Sequence, residues 1–167
     1  PIKGIETDLA DLPPTRTLYY ENAYVKEFDA QVLQVIQAKY VVLDQTAFYP
    51  EGGGQPADHG ILRFNRDQTD VIDAQKIGNI IVHVVKDRVP RKGDKVTGEI
   101  EWKRRISLMR HHTATHVIMG AARRLLGQHV WQSGAQKGVE VSRLDISHYR
   151  RLAAEEVRRD EETAGKA

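Results

Sequence analysis

Six short runs rich in β-branched residues constrain the fold of this chain more than any other feature. They lie between residues 18 and 101 at roughly regular spacing, and Gly, Asp, Asn or Pro separates each run from the next. Short strands with turn signals between them predict a small antiparallel β-barrel or curled sheet. The predicted strands are Gln31 to Ile36, Tyr40 to Leu43, Gly60 to Phe64, Val71 to Ala74, Ile80 to Val85 and Val96 to Ile100.

A long stretch with helical character follows, from Trp102 to Leu126, and this stretch is strongly basic. It contains no acidic residue but six basic ones, which are Lys103, Arg104, Arg105, Arg110, Arg123 and Arg124. A basic helix suits a polyanion such as a nucleic acid, because Lys and Arg neutralise phosphates. A solvated helix face would carry the same charges, so both interpretations stay open.

Two histidines in this helix have the spacing of metal ligands. His112 and His116 are four residues apart and therefore lie one turn apart on the same helix face. Two imidazoles at this spacing can both reach one Zn²⁺, as in the metalloprotease pattern. The general-base Glu of that pattern is absent, because Thr113 follows the first His, so a protease is excluded. The pair is either a metal or catalytic site or part of a polar helix face, and His111 points elsewhere.

A glycine-rich segment from Asp44 to Pro56 joins the second and third predicted strands. It contains three consecutive glycines between two prolines, so its backbone can adopt positive φ and let another molecule approach closely. It is not a nucleotide phosphate loop, because no Gly-Lys-Ser/Thr follows the glycines. A plain connection between strands is one interpretation. The hydrogen-bonding side chains of Thr46 and Gln55 favour the other, a small polar ligand.

The two ends of the chain carry weaker signals. Residues 1 to 16 show no apolar period and are interpreted as a tail or linker, and the chain starts without Met, as a piece cut from a longer protein would. After the helix, the sequence predicts a strand from Gly138 to Arg143. A second helix is predicted to open at Leu144 to Tyr149, with Ser147 as its N-cap.

These elements predict an α+β fold in two parts. A small antiparallel β-barrel occupies residues 17–101, and an α/β lobe with the His-bearing helix occupies residues 102–167. One strand in that lobe would leave unpaired edges, so another chain or missing residues should complete the sheet. The C-terminal part of the lobe is therefore expected to be missing.

Composition excludes several classes of protein. The chain has 167 residues and no Cys, so it forms no disulfide and no thiolate zinc site, which leaves His and carboxylates as strong ligands. No run of about 18 apolar residues and no signal peptide occurs, so a soluble, cytoplasmic protein is expected. The net charge of +2 predicts little about partners.

Three motifs, in this order, resemble the editing region of alanyl-tRNA synthetase and the related free-standing alanyl-tRNA editing proteins. The motifs run from Phe48 to Gln55, from His112 to His116 and from Arg143 to His148. The resemblance covers residues 17 to 152, and the first two motifs in tandem are highly specific. The segment from Thr15 to Tyr20 is more similar to an archaeal-type synthetase than to a free-standing protein.

The resemblance implies hydrolysis of the ester that joins Ser or Gly to the 3′ adenosine of tRNA(Ala), within an ATP-binding parent synthetase. A synthetase pocket discriminates against a substrate one methylene smaller by only about 1–3 kcal/mol of binding free energy. A second, hydrolytic site must therefore remove the misacylated tRNA that still forms. The basic helix would then hold the tRNA acceptor end. The implied site comprises zinc ligands His112 and His116, catalytic groups Gly52, Gly53, Gly54 and Gln55, and substrate contacts Thr46 and Gln132.

The sequence departs from the family pattern at the metal site. The family completes this site with a Cys-xxx-His pair, and the present sequence contains no Cys. The resemblance therefore implies half a zinc site in a chain that stops before the end of its editing domain. The alternative function is a tRNA-binding module without catalytic activity, and the sequence predicts no oligomeric state.

Overall fold

The computed structural model describes residues 2 and 4–166, which form two compact units. The barrel unit comprises Pro1–Gly52 and Pro56–Arg105. The helix–hairpin unit comprises Gly53–Gln55 and Ile106–Ala167. Three residues of the glycine-rich segment therefore group with the second unit, although the chain before and after them belongs to the first.

The barrel unit is built on a closed antiparallel β-barrel. It contains two helical turns, α1 (Glu6–Leu9) and α2 (Leu18–Glu21), and the strands β1 (Arg16–Thr17), β2 (Glu27–Ile36), β3 (Tyr40–Leu43), β4 (Gln45–Thr46), β5 (Gly60–Phe64), β6 (Asp67–Ile77), β7 (Ile80–Val85) and β8 (Lys95–Ile100). The barrel closes in the order β2-β3-β7-β6-β5-β8, and β1 pairs with β4 in parallel. The predicted α+β fold with an antiparallel barrel is confirmed.

All six predicted strands are present, although β2 and β6 are longer than predicted. The strand β6 extends beyond Val71 to Ala74 at both ends, where polar positions such as buried Thr69 and exposed Asp70 continue the alternation. An apolar run in the sequence marks only part of such a strand. The backbone hydrogen bonds between strands form whether the side chain is polar or apolar. By contrast β7 is buried at every position, so its whole length is visible in the sequence.

The segment interpreted as a tail or linker, residues 1 to 16, contributes to the core instead. Ile5 is fully buried and Leu9 is 4% exposed, and both join an apolar cluster with residues of β2, β3 and β7. Two apolar side chains in one helical turn are too few to produce a detectable period in the sequence. This explains why the structure differs from the interpretation as a tail or linker. Pro1 and Lys3 of this segment lie outside the described residues.

The helix–hairpin unit contains most of the long basic helix. The helix α3 (Trp102–Leu126) has the predicted bounds, and a hairpin of β9 (Gln132–Lys137) and β10 (Ser142–Ile146) and the helix α4 (Ala154–Ala164) follow it. Leu144 and Ile146 of β10 pack against Met119 and Ala122 of α3. Across residues 2 and 4–166, no helix is long and apolar enough to span a membrane.

Two predictions for the chain after α3 are wrong. The predicted strand from Gly138 to Arg143 contains the hairpin turn, where the Gly138 N–H donates to Val141 O at 3.0 Å. The predicted helix start at Ser147 is the open end of the hairpin, where the Ser147 hydroxyl accepts the Trp131 N–H at 3.0 Å. The polar strand β9 shows no apolar alternation and so escapes detection. The single strand expected here is therefore half of a paired hairpin.

A buried ion pair within the barrel unit joins Arg105, in the first turn of α3, to Asp58. Arg105 Nε lies 2.9 and 2.8 Å from the two carboxylate oxygens. The other guanidinium nitrogens donate to the carbonyls of Ala47 at 2.6 Å and Ala23 at 3.1 Å. Asp58 also accepts the Tyr49 N–H at 2.7 Å. Both buried charges are therefore compensated, and removing either one leaves the other without a partner.

Replacing Arg105 with Met is expected to lower the free energy of unfolding by about 3–5 kcal/mol, because the Asp58 carboxylate would remain buried and unpaired. Urea denaturation at neutral pH measures this loss. The matched control is Arg110→Met at an exposed position of the same helix, where the change should stay below about 0.5 kcal/mol. Equal stability of the two variants would contradict the assigned role of the ion pair.

Candidate functional site

His112 and His116 converge at one position on α3. Their Nε2 atoms are 3.1 Å apart, and their ring centroids are 4.8 Å apart. The helix produces this approach because residues four apart occupy the same face. His116 is exposed and His112 is half-buried, so the pair can be reached from solvent.

His112 is held in the neutral form. Burial lowers the pKa of His112, and the charges of Lys137 and His116 lower it further. A neutral imidazole has one nitrogen lone pair available to a metal ion or to a hydrogen-bond donor. The Nδ1 atom of His112 is buried and has no hydrogen-bond partner among residues 2 and 4–166.

The separation of the two Nε2 atoms fits two ligands of a zinc ion. At Zn–N distances of about 2.0–2.1 Å, two corners of a tetrahedral site lie roughly 3.3 Å apart. A closed site needs further ligands, and the described part of the chain contains no group of three or more His, Asp or Glu placed to hold a metal ion. The two residues therefore fit half of a zinc site, and zinc binding itself stays a prediction.

The glycine segment Gly53–Gln55 lies against β9. Gly54 O accepts the backbone N–H of Lys137 at 2.8 Å, and Gly53 O accepts Lys137 Nζ at 2.8 Å. Gly54 has a φ of 74°, and a Cβ atom there would lie 2.2 Å from the carbonyl oxygen of Ala135. Glycine is required at this position because the chain's own strand approaches its backbone closely.

Gly53 and Gly54 form a turn with positive φ at both residues, and the Gln55 N–H closes this turn. The described residues contain no cis peptide bond, and in a trans peptide the N–H points opposite to the C=O. Because Gly53 O is bonded to Lys137, the Gly54 N–H points away from that bond. The Gln55 side chain is buried, whereas Gly52 is exposed and belongs to the barrel unit.

Lys137 and its neighbour Gly138 connect the glycine segment with α3. The ring nitrogen Nδ1 of His111 donates to Gly138 O at 2.6 Å, so His111 anchors the helix to the hairpin. The sequence predicts no metal or catalytic role for His111, and its contact with Gly138 is structural. Lys137 is 5% exposed, and nothing in the sequence singles it out, because a lone Lys in a polar segment is usually solvated.

Thr46, predicted to contact the substrate, lies in the barrel unit and is fully buried. Its Oγ1 lies 2.8 Å from Nε2 of His83 and accepts the Phe48 N–H at 3.1 Å. Nδ1 of His83 is 3.0 Å from Val41 O, which only accepts, so Nδ1 carries the ring proton. Nε2 therefore accepts the Thr46 hydroxyl hydrogen, and that hydroxyl can act toward another group only as an acceptor.

The remaining predicted contact residues are more exposed. Gln132, the first residue of β9, is exposed. Arg104 and Arg123 are half-buried, and their Nε atoms donate to the carbonyls of Ala57 at 3.2 Å and Val130 at 2.9 Å. The exposed basic residues of α3 are Lys103, Arg110 and Arg124. These five basic side chains stay candidates for phosphate contacts.

The prediction that Arg105 contacts tRNA is wrong. This residue is 3% exposed, and its guanidinium is bonded to Asp58 and to two backbone carbonyls. Such a side chain cannot reach a phosphate at the surface. The basic residues of a helix look alike in sequence, and only the direction in which each one points separates Arg105 from its neighbour Arg104.

Replacing Gly54 with Ala is expected to lower the free energy of unfolding by about 1–3 kcal/mol beyond any effect at Gly53. The added Cβ would overlap the Ala135 carbonyl oxygen. Gly53→Ala is the matched control, because its φ of 59° is also positive but nothing lies within 4 Å of its Cβ position. Chemical denaturation of both variants separates the clash from the backbone strain, and equal losses would show that the clash is absent.

Stability is expected to fall as the pH drops below 6.5, because burial lowers the pKa of His83 from 6.5 to about 4. Over this interval the unfolded chain binds a proton that the folded chain does not, so protonation favours unfolding. The full loss amounts to about 3 kcal/mol near the folded-state pKa. Urea denaturation at several pH values measures it, and His83→Gln should show a correspondingly shallower slope. Identical slopes would contradict this assignment.

Comparison with known proteins bears on the identity of the chain. The family model for tRNA synthetases class II (A) matches residues 6–104. The chain is 55% identical over 159 residues to an alanine–tRNA ligase of Pyrobaculum neutrophilum, covering 95% of this chain and 18% of the relative. It is 56% identical over 157 residues to that of Thermococcus kodakarensis, covering 93% and 17%. The chain therefore spans less than a fifth of the length of these relatives.

The resemblance found in the sequence is confirmed at the level of the family. The family match covers more than half of the chain, and the identity to archaeal alanine–tRNA ligases extends over most of it. The barrel and the start of α3 fall within the matched residues. The chain therefore belongs to the class II (A) tRNA synthetase family.

Proposed function

We propose that this chain is the editing region of an alanine–tRNA ligase and hydrolyses the ester between Ser or Gly and the 3′ adenosine of tRNA(Ala). The family match and the similarity to alanine–tRNA ligases support the parent enzyme. The observation that carries the hydrolytic part is the convergence of His112 and His116 at 3.1 Å in the unit that also contains Gly53–Gln55.

In this proposal His112 and His116 are the residues that would hold a zinc ion. When bound, such an ion supplies Lewis acidity toward a carbonyl oxygen or a water molecule. The neutral state of His112 keeps its lone pair available. The bond from His111 to Gly138 holds α3 against the hairpin next to His112.

The glycine segment supplies a preorganised hydrogen-bond donor. The Gly54 N–H points away from the bond between Gly53 O and Lys137, because the N–H and C=O of a trans peptide point in opposite directions. Backbone donors that are fixed before reaction stabilise the charge that develops on an ester carbonyl oxygen. We assign this role to Gly54, whereas Gly53 serves through its carbonyl as an anchor.

The state of Thr46 limits how it could recognise a seryl group. Its hydroxyl hydrogen is committed to His83, and one of its lone pairs is used by the Phe48 N–H. A seryl hydroxyl that contacts Thr46 would therefore have to donate its hydrogen. Alanine lacks such a donor, so this contact would favour the misacylated ester. Gln132 and the five exposed or half-buried basic side chains would contact the rest of the acceptor end.

The test is hydrolysis of Ser-tRNA(Ala) by the purified chain with added zinc, with Ala-tRNA(Ala) as the correctly charged substrate. His112→Ala should lower the rate by about 100-fold or more, because a metal ligand is lost. His129→Ala, at an exposed His outside α3, is the matched control and should leave the rate unchanged.

An unchanged rate in His112→Ala would reject the metal role of the pair. Binding of tRNA(Ala) by the wild-type chain without hydrolysis of either substrate would instead support the alternative function, a tRNA-binding module. Equal hydrolysis of Ser-tRNA(Ala) and Ala-tRNA(Ala) would contradict an editing role, because editing requires that the correct product survives.

A further inference from the structure

Lys137 carries a buried positive charge that the described structure does not neutralise. The residue is the last of β9 and is 5% exposed. Its Nζ has three N–H donors and makes one hydrogen bond to a described residue, to Gly53 O at 2.8 Å. Among residues 2 and 4–166, no carboxylate pairs with this ammonium group.

Such a charge is costly unless something pairs with it. A buried ammonium without an anionic partner loses hydration that one carbonyl cannot replace. The buried cation Arg105 shows the usual solution in this same chain, because it is matched by the carboxylate of Asp58. Lys137, in contrast to Arg105, has no anionic partner among the described residues.

The position of Lys137 identifies where that partner would bind. Its ammonium is held by Gly53 O, and the next residue, Gly138, accepts a hydrogen bond from His111, the neighbour of His112. Lys is a compact point charge with several donors and is therefore a common ligand of phosphate oxygens. A nucleotide phosphate supplies both the negative charge and the acceptors that the two spare N–H groups of Lys137 lack.

We propose that Lys137 binds a phosphate oxygen of the terminal nucleotide of an RNA strand whose 3′ end lies at the His112–His116 pair. The choice of RNA as the ligand rests on the proposed function. The phosphate contact itself rests on the unpaired ammonium group and its bond to Gly53. Lys137 is thereby a substrate-binding residue, and it fixes the glycine segment at the same time.

The experiment measures binding of adenosine 5′-monophosphate and of adenosine to the full chain by NMR titration. The wild type is expected to bind the monophosphate more tightly than adenosine. Lys137→Met should weaken monophosphate binding by about tenfold or more, as the loss of a charge-assisted hydrogen bond requires, and leave adenosine binding nearly unchanged. Lys166→Met, at an exposed lysine of the same unit, is the matched control and should bind as the wild type does.

Unfolding experiments separate this proposal from a purely structural role. Lys137→Met removes both a buried charge and the bond to Gly53 O, so the test compares how far phosphate shifts the thermal midpoint of each protein. Inorganic phosphate should raise the midpoint of the wild type and leave that of Lys137→Met unchanged. Equal phosphate stabilisation of both proteins would overturn the proposal.

The result of the binding experiment does not depend on whether the chain hydrolyses Ser-tRNA(Ala). Equal affinity of the wild type and Lys137→Met for the monophosphate overturns the assignment of Lys137, even in a chain that deacylates Ser-tRNA(Ala). A wild type that binds adenosine as tightly as the monophosphate overturns it as well. Monophosphate binding that depends on Lys137 supports the assignment, even in a chain without deacylation, in which case only the proposed hydrolytic function fails.

Discussion

The buried ion pair of Arg105 and Asp58 is the interaction on which the packing of the barrel unit around Tyr49 depends. Asp58 holds Tyr49 through two bonds, from the Tyr49 N–H at 2.7 Å and to the Tyr49 carbonyl at 3.0 Å. Tyr49 precedes the glycines in the chain and Asp58 follows them. Arg105 occupies the first turn of α3. One compensated pair of charges therefore joins three distant stretches of the chain within the barrel unit.

The glycine segment shows how a backbone can be prepared for a ligand by contacts within the chain. Lys137 binds the carbonyls of Gly53 and Gly54, and the planarity of the peptide then dictates where the following amides point. The absence of a side chain at Gly54 permits the approach of Ala135. The polar groups of this unit that lack partners among the described residues include the Nδ1 of His112, and the ammonium of Lys137 makes one hydrogen bond to a described residue. Features of this kind lower stability and concentrate at functional sites.

The sequence predicted the local elements well and the packing of individual side chains poorly. Strands and the helix α3 repeat their buried positions at fixed periods, so spacing alone located the barrel and brought His112 and His116 onto one face. The same reasoning failed for the hairpin after α3, because β9 shows no apolar alternation. It failed also for the N-terminal segment, where burial of Ile5 and Leu9 depends on strands far away in the chain.

The sequence by itself determined the class of fold, the helical His pair and, through three ordered motifs, the synthetase family. Only the tertiary structure decided that Arg105 is buried against Asp58, that His83 sets the direction of the Thr46 hydroxyl, and that Lys137 holds the glycine segment. These contacts join residues 47, 37 and 84 positions apart. The periodicity of a sequence indicates which face of a helix or strand is buried. Which residue it contacts at a distant position in the chain depends on the packing of the whole chain.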